Sequence, residues 1–129
     1  MAVEYVESQA KFSANAGADL SSLQYTFVKM SGTTVIPVAA ATDVPVGVVV
    51  NKAANGKTAE VVVSGIVKLV ASAAISVGAK VGTTSGGLAV TLVSGTDTTK
   101  FICGMALTAA TAANDIITVL LVPATAKAA

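Results

Sequence analysis

The sequence predicts an all-β protein: a small β-barrel or β-sandwich of about eight short strands in two weakly repeated halves, with an extended N-terminal arm. Three observations carry this expectation. Val, Ile and Thr fill 42 of the 129 positions, and their branched side chains favour pleated strands over helices. Apolar and polar residues alternate with period two in successive short stretches. Gly, Asn and Ser pairs punctuate those stretches at roughly ten-residue spacing, as turns do in barrels and sandwiches.

In chain order, residues 1–20 alternate only weakly and contain the loose Ser13-Ala14-Asn15-Ala16-Gly17-Ala18 segment, so they read as an arm. Strands are predicted at 23–30 and 34–38, joined by the Ser31-Gly32 turn, and at 46–51. Asn55-Gly56 supplies the positive-φ pair of a tight hairpin. It leads into 59–70, where Val61, Val63, Val67 and Leu69 share one face around Gly65, while Glu60, Ser64 and Lys68 share the other with Val62 and Ile66. That pattern predicts a long half-buried strand bent at Gly65. The Ala-rich 71–75 reads as one helical turn or a crossover. Strands at 79–83 and 88–93 flank Ser85-Gly86-Gly87, and after Ser94-Gly95 come strands at 101–108 and 116–122. The domain plan is therefore an arm at 1–20, a single all-β domain at 21–123 and a fraying tail at 124–129.

A weak internal repeat runs through this plan. Ser31-Gly32 with Val35 and Ile36 is echoed by Ser85-Gly86 with Ala89 and Val90, an offset of 54 residues. Pro45-Val46-Gly47-Val48-Val49-Val50 is echoed by Ile102-Cys103-Gly104-Met105-Ala106-Leu107 at an offset of 57. Shared β-hairpin composition is the competing explanation of both echoes.

The composition closes most chemistry. There is no His, and all 8 basic residues are Lys, set against 7 acidic ones for a net charge of +1. Without imidazole there is no unaided group titrating near neutrality and no base to activate Ser or Cys. Without Arg there is no bidentate fork for phosphate. A neutral chain with two Tyr, three Phe and no Trp lacks the basic footprint and the stacking platforms of a nucleic-acid binder. A mean hydropathy of +0.78 suggests a membrane protein, but the longest stretch free of charge, residues 81–96, is broken by four Gly. A spanning helix needs about 20 apolar residues, so no membrane partner is expected. Glu4 and Glu7 stand where a secretory signal would carry basic residues, which predicts a soluble chain without a leader.

Individual motifs fail on context. Gly56-Lys57-Thr58 resembles the end of a phosphate-binding loop, but Asn51 stands where the first Gly belongs, and a strand follows instead of a helix N-terminus. The lone Cys103 lies in an apolar segment with no basic neighbour and reads as a buried, inert thiol. The acids Asp19, Asp43, Glu60, Asp97 and Asp115 are scattered, leaving only a fold-assembled carboxylate pair or an oxygen-ligated Ca²⁺ site open. No catalytic residue, cofactor site or metal site is predicted.

The order of features resembles the phage capsid cement, or head decoration, proteins. The resemblance rests on Ala71-Ser72-Ala73-Ala74-Ile75-Ser76-Val77-Gly78-Ala79-Lys80-Val81-Gly82-Thr83 leading into a Gly-rich hairpin, and on Gly104-Met105-Ala106-Leu107 followed by an Ala-rich turn and the last strand. Val46-Gly47-Val48-Val49 and the Val-rich strand closing on Ser64-Gly65 match them in the first half, so that residues 20–123 are largely covered. The resemblance implies a structural virion protein made in the host cytoplasm. It would bind the major capsid protein on the outer capsid surface where capsomers meet, as a homotrimer, with no catalytic residues to carry over. Within that reading, Tyr5, Val6 and Phe12 are the expected partner-contact residues, because large apolar groups on an arm need a surface to cover them. The arm packing back on its own domain as an extra edge strand is the alternative. The competing class is a secreted or surface-displayed β-sandwich that binds carbohydrate or acts as an adhesin. Against it stand the missing leader, the missing disulfides and the shortage of rings for sugar stacking.

Overall fold

The computed structural model describes residues 9–128. Among them there is no helix. Nine strands, β1 (Gln9–Asn15), β2 (Thr26–Ser31), β3 (Thr34–Pro37), β4 (Gly47–Val49), β5 (Thr58–Val70), β6 (Lys80–Thr83), β7 (Ala89–Thr91), β8 (Phe101–Ala106) and β9 (Ile116–Lys127), form one antiparallel sheet. Its order is β3-β2-β4-β5-β9-β8-β6-β7, with β1 paired to β5. The all-β expectation holds, and each of the eight predicted strands is present. The Ala-rich 71–75 is a crossover held by two isolated bridges, Ala71 to Ala89 and Ile75 to Ala110.

The strand order reads the same from either end once β2 to β5 are matched with β6 to β9, and the register carries the match to single residues. Val48↔Val62 and Val49↔Val61 across β4–β5 recur as Met105↔Leu120 and Ala106↔Val119 across β8–β9. Val28↔Gly47 recurs as Val81↔Gly104. The hairpin partners Met30↔Val35 and Lys29↔Ile36 recur as Thr83↔Ala89 and Gly82↔Val90. Gly47 and Gly104 occupy matching sites for one steric reason. A Cβ on Gly47 would collide with the Val62 carbonyl and press on Val61, and a Cβ on Gly104 would collide with the Leu120 carbonyl and press on Val119. The sequence echo is thus a structural repeat, in which a Gly lets each short strand approach the long strand beside it.

The faces of the two halves are used differently. Phe27, Val48 and Val62 point into a central core that they share with Val81, Ala89, Ala106, Ile117 and Val119 of the second half. Val28, Val35, Val49, Ala59 and Val61 point to the opposite side, into a second core. The sheet of the first half is therefore buried on both faces, which explains its continuous Val runs. β5 links the two cores. Ala59 and Val61 lie in the second core, whereas Val67 and Leu69, at positions of the same parity, lie in the central one. The inversion takes place at Gly65, whose φ of +100° is open to Gly and strained for other residues. The expectation that Val61, Val63, Val67 and Leu69 share one face is corrected accordingly: the irregularity that bends the strand also turns it over.

The second core is closed by the N-terminal part of the chain. β1 pairs with β5 in the register Phe12↔Val61 and Ala14↔Ala59, and both β1 side chains pack on that core. Beyond the strand, the Ala16 N–H donates to Lys57 O and the Leu20 N–H to Ala53 O, each at 2.8 Å, and Leu20 is fully buried. Residues 9–20, assigned to the arm on sequence, thus lie on the domain as an extra strand and a cover. At the other end β9 runs through residues 124–127, pairing Phe101↔Lys127 and Ile102↔Ala126.

Candidate interaction surface

The face of the first half made by Phe27, Val48 and Val62 is buried by the rest of the chain. Its counterpart in the second half is left open by the described residues. Ladder partners in an antiparallel sheet point to the same side, so the pairs Ile66↔Leu120, Leu120↔Met105 and Met105↔Lys80 form one row across β5, β9, β8 and β6. The row lies on the outer face. Met105 is 42% exposed, Leu120 41% and the neighbouring Val122 44%, a degree of exposure that marks an uncovered sheet face and not a core. With Ile102 and Gly104 these residues line an apolar depression of about 210 Å³ whose charged wall is Lys80. The sequence held a signal for this face: in residues 116–122 only Thr118 is polar, so a strand with one face in the core must show apolar groups on the other.

A larger cleft of about 520 Å³ lies on another side, lined chiefly by Met30, Val44, Pro45, Val63 and Pro123. Its Lys29 ammonium is spent on Asp43 at 2.9 Å. Neither surface gathers the convergent polar groups that mark a catalytic pocket.

The carboxylates stabilise loops. Asp43 accepts the Ala39 and Ala40 N–H groups at 2.8 and 3.0 Å together with the Lys29 ammonium, and these hold its carboxyl down at about 2. Asp97, its counterpart in the repeat, accepts the Val93 N–H at 2.7 Å and pairs with Lys100; its carboxyl too is held below the ordinary range. Asp115 accepts the Thr111 and Ala112 N–H groups, again with a lowered pKa. Asp19 takes the Ser21 N–H at 3.0 Å. Among the described residues no group of three or more acids, Cys or His could hold a metal ion, and Asp19, Asp43, Asp97 and Asp115 each bind backbone N–H groups of their own loop. Cys103 is buried in the central core, where desolvation pushes its thiol up to about 12, far from a reactive thiolate. Gly56-Lys57-Thr58 forms a turn running into β5.

Of the residues expected to touch a partner, Tyr5 and Val6 lie outside the described residues. Phe12 is half-buried on the second core, with its ring against its own domain.

A repeated all-β domain whose polar groups serve turns, and whose described surface carries an open apolar sheet face and a largely apolar cleft, has the makings of a structural packing module. The comparisons give that class its family. The chain matches the phage cement protein family over residues 10–121, and it belongs to that family, which gives it a structural, capsid-associated role. No curated protein matches the chain. Among solved structures it is similar to the head fiber gp8.5 N base of bacteriophage phi29, with a TM-score of 0.64 and 21% identity over 88% of this chain and 93% of that one. At that identity the likeness is one of fold.

Proposed function

We propose that the protein decorates the outer surface of an assembled phage head, binding the major capsid protein where capsomers meet and stabilising their contacts without catalysing a reaction. The observation that carries this reading is the open apolar face of Ile102, Met105, Leu120 and Val122 on a chain of the cement family. Monomeric proteins seldom leave a contiguous apolar patch uncovered without an interaction to make there. Many copies on a lattice let individually modest contacts act together. Tyr5 and Val6, which precede the strand that begins at Gln9, add apolar groups to the contact, and copies associate as a homotrimer.

Co-sedimentation with heads lacking the protein tests this. The full chain is expected in the pellet in saturable amounts, and Leu120→Lys, a change at a surface position, is expected to weaken binding at least tenfold while leaving the fold intact. Binding unchanged by that substitution excludes this face. Light scattering that finds a monomer at micromolar concentration excludes a preformed trimer.

A further inference from the structure

We infer that Tyr25 is kept for a partner and not for the fold: its ring and the Lys68 ammonium together form a contact that takes a carboxylate-bearing segment of the shell. The inference rests on the capsid reading above and adds one element to the open face of Leu120 and Met105.

The repeat shows what the fold needs at this position. Val28 matches Val81 and Val49 matches Ala106, so Tyr25 matches Gly78. The backbone bonds are the same at both: the Tyr25 N–H donates to Val49 O at 2.7 Å and the Gly78 N–H to Ala106 O at 2.8 Å. Each is followed by the same turn bond, from the Thr26 N–H to Leu23 O and from the Ala79 N–H to Ser76 O. Both residues have positive φ, +65° at Tyr25 and +85° at Gly78. A Cβ added at Gly78 would meet nothing within 4 Å, so glycine stands there for its φ alone. A bulky residue is rare and costly in that conformation. Of the two turns, the strained one carries a Tyr ring, and strain retained in this way gathers at sites that bind.

The surroundings of the ring give the chemistry of the contact. The Lys68 ammonium lies 5.9 Å from the ring centroid, a cation held over an aromatic face. Lys68 is exposed and pairs with Thr118, two residues along from the Ile66↔Leu120 pair. It points to the same side as that pair, because Val67 and Leu69 point into the central core. The Tyr25 carbonyl accepts the Val70 N–H at 2.9 Å, so Tyr25 and Lys68 border the open face where β5 passes the first half. Among the described residues no carboxylate lies within ion-pair distance of Lys68. Asp19, Asp43, Asp97 and Asp115 are engaged in their own loops, which leaves a second copy only Glu60 among its described acids to offer. An apolar face bordered by an oriented, unmatched ammonium suits a shell surface that brings a carboxylate.

Co-sedimentation with heads lacking the protein, together with thermal unfolding of the same full-length chains, tests this. Tyr25→Gly is expected to unfold within about 4 °C of the parent, because relief at the positive φ offsets the lost ring. It is expected to bind heads about fivefold more weakly or worse. Lys68→Glu should keep the fold and weaken binding about tenfold. Raising NaCl from about 50 to about 500 mM should weaken the parent more than Lys68→Gln. A larger loss of thermal stability in Tyr25→Gly overturns the inference, because the ring then serves the fold. So does a stable Tyr25→Gly or Lys68→Glu chain that binds like the parent while Leu120→Lys does not, a result that leaves the open face standing without this element. Equal salt responses of the parent and Lys68→Gln overturn the carboxylate partner. A parent that fails to pellet overturns this inference and the capsid reading together. Self-association without heads that Lys68→Glu abolishes assigns the contact to a second copy and likewise overturns it.

Discussion

Alanine at Gly47 and at Gly104 tests the structural repeat at its tightest points. At Gly47 the added methyl would meet the Val62 carbonyl and the Val61 side chain, and backbone cannot rotate away as a side-chain tip can. Overpacking of this kind costs about 1–3 kcal/mol, and a backbone obstacle places Gly47→Ala near the upper end. Ala restricts the unfolded chain more than Gly does, returning about 0.4–1 kcal/mol. The net expectation is a loss of about 2 kcal/mol, or roughly 6–8 °C in Tm for a domain of this size. Gly104→Ala meets the Leu120 carbonyl in the same way. Because the Leu120 face is open, β9 has room to yield, and the expected loss is smaller, about 1–2 kcal/mol. Gly86, where the nearest atom to an added Cβ is Thr84 Oγ1 at 3.9 Å, is the control. Gly86→Ala should stay within about 0.5 kcal/mol of the parent. The assay is urea unfolding followed by far-ultraviolet circular dichroism, with m compared across the three variants. Gly47→Ala that unfolds with the parent, at unchanged m, would refute close strand approach as the reason for glycine at these positions.

Other expectations follow from the side chains already described. The Asp43 carboxyl is depressed from an ordinary 3.8 to about 2, so its contribution to stability is complete above pH 4 and is lost as the pH falls towards 2. Acid unfolding of Asp43→Asn should show a shallower dependence on pH in that window. Cys103, raised by burial to about 12, should resist alkylation at pH 8 in the native protein and react promptly in denaturant. Its contribution to stability is present below the pKa of an unfolded thiol and declines as the pH rises from about 9 towards 12. Phe12→Ala should cost about 2 kcal/mol, less than a fully buried Phe, since the ring is only half-covered. Deleting residues 1–18 strips β1 and Ala16 from the second core and should abolish cooperative unfolding.

Strands were legible wherever turn chemistry marked their ends. Ser31-Gly32, Asn55-Gly56 and Ser94-Gly95 place Gly at positive φ, and the residues between such turns had little choice but to alternate. β1 was legible only as an alternative to a free arm, because Gln9–Asn15 carries one large apolar residue and its inward Ala14 fits against Ala59 only because the partner strand is already there. A strand recruited by its neighbour leaves a faint pattern of its own. β5 misled in another way. Period-two reading assumes that parity persists along a strand, and Gly65 cancels that assumption midway. The same inversion separates the faces of the two halves, burying Val48 and Val62 while leaving Met105 and Leu120 open. Composition had already pointed away from a catalytic site. The place of the proposed contact surface was legible only in part: residues 116–122 signal apolar groups on both faces of β9, but which face stays open depends on how the sheet folds.

The proposed place of this chain is the outside of a phage head. Cryo-electron microscopy of heads incubated with the purified protein measures this most directly. Density for the two-half β fold on the outer surface at capsomer junctions, with Met105, Leu120 and Val122 facing the shell or a neighbouring copy, is the predicted result. Bare heads at saturating protein, or density confined to the interior, would contradict it.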